Sequence, residues 1–195
     1  LIPTASLHYL ERVCFLIRTK IKQEFEIKID PRISAKQEDL MAQFQFHSQL
    51  RDALSSVNGT IGKIRDVRSQ LATLDKRIGG RKQFAKLAKQ SASISKKLSA
   101  IEKKLYQTQN QSPQDPLNFP IRLNNRLSAL VSVVDTGDNA PTRQSRQVFE
   151  MLQGQIAVQQ KKFKALMAEE IPNFNKAVKS ANVPAIFVDP SNGDE

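Results

Sequence analysis

Apolar residues recur along this chain at three- and four-residue steps over most of its length and alternate strictly with polar ones in a single place. Leu40, Phe44, His47, Leu54, Val57, Ile61, Ile64, Leu71, Leu74 and Ile78 draw one stripe on a helix. The stripe predicts a helix over residues 35–78, with Ser34 as its N-cap and Gln37 completing a capping box. Such a rod is about 60 Å long at 1.5 Å per residue. Asn58-Gly59 either interrupts it or, with Gly62 on the same face, admits a neighbouring backbone. Gly79-Gly80 ends it. A second helix, over 81–109, carries Phe84, Leu87, Ser91, Ile94, Leu98, Ile101 and Leu105, a coiled-coil-like seam with Ser91 as its one polar member. Leu123, Leu127, Leu130 and Val134 predict a third helix over 120–136, with Pro120 in its first turn. Phe149, Leu152, Ile156, Phe163, Leu166 and Phe174 predict a fourth over 142–181, opened by Thr142 with Ser145 and kinked at Pro172.

The alternating stretch is Glu24 to Ile29, a short strand ended by Asp30-Pro31. Its partners have to lie upstream, since nothing after residue 33 alternates. The expected fold class is therefore all-α: an antiparallel up-down four-helix bundle with a short N-terminal strand left from a preceding β domain. Residues 1–33 are read as the remnant of an upstream β-sandwich or an irregular N-terminal segment, 34–188 as the bundle, and 189–195 as a disordered tail. The third helix is short, so the Ser112 to Phe119 connector is expected to run along the bundle and cover the seam left open.

Composition sharpens this picture in two respects. Hydrophobic residues make up 39% of the 195, with ten Phe, two Tyr and no Trp, which suits aliphatic helix packing. The net charge of +11 is concentrated: residues 61–104 hold thirteen Lys and Arg against three acids, Asp66, Asp75 and Glu102. Nucleic acid, an anionic membrane or an acidic neighbouring domain could be drawn to that hairpin, although helix surfaces carry charge in any case. Aromatics for base stacking and helix-turn-helix, zinc or RNP patterns are missing, so charge alone supports only non-specific attraction and nucleic acid is not the expected partner.

Cys14 stands alone, which rules out an intrachain disulfide. Val13 to Ile17 is flanked by charges and far shorter than the roughly 20 residues a bilayer requires, so no membrane span is predicted. The charged residues Glu11 and Arg12 likewise break any signal-peptide core. A start at Leu rather than Met suggests a piece of something longer.

Catalytic, cofactor-binding and metal sites are not predicted. His8 and His47 are the only histidines, no His/Cys/Asp cluster has zinc spacing, and there is neither a phosphate-binding glycine loop nor a Gly-x-Ser-x-Gly elbow. Glu169 and Glu170 are adjacent on a helix and point about 100° apart, so they cannot flank one bond. The particular stretch is Asp115 to Leu127, with prolines and an Asn-Asn pair where helix should begin. Its candidate structural residues are Asp115, Pro116, Phe119, Pro120, Arg122, Asn124, Asn125 and Arg126. The asparagines are expected to anchor the connector, because a buried amide left unpaired costs about 1–3 kcal/mol. Arg122 and Arg126 are expected to pair with Asp115 or with acids on the fourth helix.

Tyr106-Gln107, Asn110-Gln111-Ser112 and Asp115-Pro116-Leu117-Asn118-Phe119-Pro120-Ile121-Arg122-Leu123-Asn124-Asn125-Arg126-Leu127 together resemble the C-terminal helical region of large bacterial sortilin-like β-propeller proteins, often labelled glycosyl hydrolases. Further elements fit in order: Ile29-Asp30-Pro31-Arg32, Leu50-Arg51-Asp52-Ala53-Leu54, Ile64-Arg65-Asp66-Val67-Arg68, Ala140-Pro141-Thr142, Pro172-Asn173-Phe174-Asn175 and Val183-Pro184. The resemblance covers residues 24–188. It implies propeller blades upstream, then a β-sandwich whose last strand is Glu24 to Ile29, and a parent that is exported. It implies a non-catalytic helical scaffold or interaction module whose partners are the upstream domains of the same chain. No catalytic residue carries over, since propeller repeats of the Ser-x-Asp-x-Gly-x-Thr-Trp type need a tryptophan that this chain lacks. Residues 1–23 depart from the pattern, as a truncated or out-of-frame start would explain, and are expected to pack irregularly. The alternative function is a basic helical bundle binding nucleic acid or anionic surfaces through residues 61–104.

Overall fold

A computed structural model describes residues 9–16, 19–26, 30–112 and 114–183. Tyr9–Leu16 (β1) and Thr19–Glu26 (β2) pair antiparallel, with Tyr9 opposite Glu26 and Leu16 opposite Thr19. Of the alternating stretch 24–29, the first three residues belong to β2, and residues 27–29 lie outside the described residues, as do 1–8 and the expected tail at 189–195. Among the described residues, everything after Arg32 is helix and connection.

Gln37–Ile78 (α1) is one unbroken helix of 42 residues, about 63 Å long. Asn58-Gly59 neither breaks it nor admits a neighbour, because a Cβ added at Gly59 or Gly62 would meet nothing within 4 Å. The helix opens two residues later than Ser34 would have it. Lys36 is the N-cap, and Asp39 reaches back to accept a hydrogen bond from the Lys36 N–H at 2.9 Å. Gly79 and Gly80, both in the left-handed region at φ 53° and 66°, turn the chain, and the Gly79 N–H donates to the Asp75 carbonyl. A 3-10 turn, Lys82–Phe84, leads into Ala85–Leu105 (α2). Leu123–Val134 (α3) and Arg143–Ser180 (α4) follow, the latter opened by Thr142, whose hydroxyl accepts from the Ser145 N–H at 3.0 Å. The α4 helix continues through Pro172.

Contacts between helices establish their directions. Ser91 donates to Asp75, and Arg65 and Arg68 hold Glu102, so α2 runs against α1. Gln43 donates to the carbonyls of Val134 and Gly137, while Asn124 donates to Asn58, so α3 also runs against α1. Phe46 meets the Phe149 ring edge-on at 5.3 Å, and Gln160 reaches Ser56 and Thr60, so α4 runs with α1. Hence α2 and α3 point the same way and follow one another along the groove between α1 and α4.

The all-helical fold stands, but the up-down alternation is corrected: three rods pack together, and the middle one is broken. A hydrophobic stripe specifies which face is buried and says nothing of direction. Length decides between the arrangements. With 21 and 12 residues, α2 and α3 are each too short to cover α1 or the 38 residues of α4, and only in tandem do they do so. The connector accordingly loops out where the two halves meet instead of running along a seam.

The core lies on the shared axis. Leu50, Val57 and Ile64 of α1, Leu98 and Leu105 of α2, Leu127 of α3 and Leu152 of α4 are each at most 1% exposed. Burying one such side chain contributes about 1.5–3 kcal/mol. His47 sits at the edge of this core, with Nε2 3.8 Å from Asp135 Oδ1.

Candidate functional site at the junction of α2 and α3

The connector is held by its own residues. Asp115 opens a 3-10 turn, Asp115–Leu117, with Pro116 in its first positions, where a missing N–H costs nothing. Its carboxylate accepts from the backbone N–H groups of Gln111 and Ser112 and from the Ser112 hydroxyl. These three donors, in that order of weight, hold the Asp115 carboxyl below its ordinary range. The Phe119 N–H closes onto the Asp115 carbonyl at 2.8 Å, and the Phe119 side chain is half-buried. Gln107, only 4% exposed, donates to the Pro120 carbonyl at 2.8 Å and so ties the two feet of the loop together. The sequence places Gln107 in the signature but assigns it no tying role, because it falls off the periodic stripe.

The asparagines act elsewhere. Asn124 bonds to Asn58 on α1, and the Asn125 Oδ1 is buried without a partner, so the anchoring role expected of the pair belongs to Asp115 and Gln107. Arg122 and Arg126 pair with neither Asp115 nor an acid of α4. Arg122 is the N-cap of α3, its Nε buried and unpartnered, and Arg126 stands one turn on.

Both arginines line a cleft of about 370 Å³ between the end of α2, the start of α3 and the middle of α4. Lys104 comes from α2 and Gln155 and Gln159 from α4; Ile121, Leu123 and Val158 supply apolar walls. A larger cleft, about 810 Å³, lies between α1 and α4 over an apolar floor that includes Leu74, Met167 and Phe174.

The basic hairpin resolves into a face. Lys86, Lys89, Lys96, Lys97, Lys103 and Lys104 are all exposed on α2 and, at 100° per residue, share an arc of about 120° over about 27 Å. Among the described residues, Lys97 alone of the six is paired, with Glu170 at 2.7 Å. Glu102, the one acid of α2, is withdrawn from this face: it is 3% exposed and held by Arg65 Nε and Arg68 Nη1, each at 2.7 Å. Arg65 also lies 5.0 Å from the Tyr106 ring centroid.

No group of His, Cys, Asp and Glu among the described residues could hold a metal ion, and no helix there is long and apolar enough to cross a membrane. No protein-family model matches the chain, and no curated protein or solved structure matches it.

Proposed function

We propose that the chain is a non-catalytic helical scaffold and interaction module, the C-terminal part of a larger, exported sortilin-like propeller protein, with the β2 strand as the remnant of the preceding β-sandwich. The upstream propeller and sandwich are its partners. The parent architecture rests on the resemblance of residues 24–188. The scaffold role is supported by one observation: Glu102 between Arg65 and Arg68, Asp115 across its turn and Asn124 on Asn58 are engaged in holding helices and connector together.

The coding sequence upstream of Leu1 tests the parent directly. It is expected to encode Ser-x-Asp-x-Gly-x-Thr-Trp repeats, and an open frame without them defeats the reading. Glycosidase assays on this chain alone are expected to be negative.

The lysine face of α2 favours a second reading, a docking surface for polyanions. Binding is then purely electrostatic and falls steeply with salt. A mobility-shift assay at low salt is expected to retard DNA with the native chain and not with a variant carrying glutamine at positions 86, 89, 96 and 103; no shift with the native chain ends this reading.

A further inference from the structure

We infer that the cleft at the junction of α2 and α3 is a binding site for a phosphoryl group, carried by a small molecule with a short apolar part. This rests on neither reading above. Three cations, Lys104, Arg122 and Arg126, converge on one recess from two helices, and none has an acidic partner among the described residues. No acid lines the recess. The amides of Gln155 and Gln159 complete the wall from α4 and make no hydrogen bond to the described residues, in contrast to Gln160 one residue on, which is engaged with Ser56 and Thr60.

Arg122 separates this recess from an ordinary solvated patch. A guanidinium at a protein surface normally keeps its N–H groups in water or on a carboxylate. Here Nε is buried and has no acceptor, and no carboxylate of the described residues pairs with the guanidinium, so its positive charge is left uncompensated beside the recess. The first turn of α3 adds to this, since Arg122 as N-cap supplies no side-chain acceptor to its backbone N–H groups.

The donor set indicates the class of anion. A carboxylate has two oxygens, which a single arginine satisfies. Two guanidinium groups, an ammonium and two amides exceed that, and match a phosphoryl group with its three terminal oxygens and up to two charges. Ile121 and Val158, 47% and 51% exposed on the rim, offer apolar contact to whatever the phosphoryl group is attached to. The volume of about 370 Å³ leaves room for that attachment.

Calorimetric titration of the native chain at constant ionic strength tests the site, with inorganic phosphate and phenyl phosphate as probes. Saturable single-site binding is expected, with phenyl phosphate tighter by about fivefold through its ring. The Arg122→Gln/Arg126→Gln variant is expected to bind phenyl phosphate at least about tenfold more weakly. Lys86→Gln/Lys89→Gln, which removes the same charge from α2, is expected to bind as the native chain does. Should the first variant fail to fold by circular dichroism, Lys104→Gln/Arg126→Gln, in which both side chains are exposed, takes its place. Unsaturable binding, or equal loss in the cleft and control variants, overturns the proposal. Vesicles containing phosphatidic acid distinguish a lipid headgroup from a soluble ester: retention that depends on Arg122 and Arg126 assigns the site to the headgroup, and saturable phenyl phosphate binding without retention assigns it to the ester.

Discussion

At the scale of single residues, Glu102 is the buried charge on which the α1–α2 contact turns. Both carboxylate oxygens are used, one by each arginine, and the arginines keep part of their surface in water, so the acid alone is fully desolvated. Replacing it by glutamine leaves one arginine facing an amide N–H₂, and Glu102→Gln is expected to lower unfolding free energy by about 2 kcal/mol in urea titration. Asp115 is the contrasting case, an exposed carboxylate that matters only locally. Its proton affinity is depressed by three donors, so its contribution to the connector is complete above the ordinary carboxylate range near pH 3.8 and fades as pH falls through the lower folded value. Protection of the Gln111 and Ser112 amides, relative to their intrinsic exchange rates, is expected to fall in acid below that range, and to be lost at neutral pH in Asp115→Asn, while protection in the core of α1 is unchanged.

At the scale of elements, α1 carries two glycines that do nothing for it. Each meets open space and sits in ordinary helical backbone, so Gly59→Ala and Gly62→Ala are each expected to stabilise the chain by about 0.5–1 kcal/mol, read as a rise in Tm. Their spacing had suggested a close backbone approach; spacing alone cannot tell an approach from an empty flank. Helix existence was legible because Leu, Ile and Val at three- and four-residue steps leave one face to bury, and the seam Leu87 to Leu105 is buried throughout, Ser91 included. The first turn of α1 was misjudged by two residues because Asp39, from inside the helix, caps it in place of Ser34. For the site, Arg122 and Arg126 stood out by sequence, whereas Lys104, Gln155 and Gln159 did not. They come from two other helices, and only the tandem arrangement brings them to the same recess.

At the scale of the whole molecule, the break in the middle rod sets the arrangement. Gln107 and Pro120 meet across the base of the connector, so the chain between them is an excursion and not a bridge. Removing residues 110–118 and closing the gap with Gly-Ser is expected to leave helical content and cooperative thermal unfolding intact, at a cost of no more than about 2 kcal/mol. Loss of cooperativity would mean that the loop, and not the core, aligns α2 with α3. The parallel course of α1 and α4 has a further result. An even bundle of alternating helices returns the chain to the pole it came from and acts as an appendage. In this molecule the polypeptide enters α1 at Gln37 and leaves α4 at Ser180 at opposite poles, about 60 Å apart. Whatever is joined to the two ends is thus held apart by a strut, and a pull on those ends acts along the three rods in shear rather than peeling them from one another.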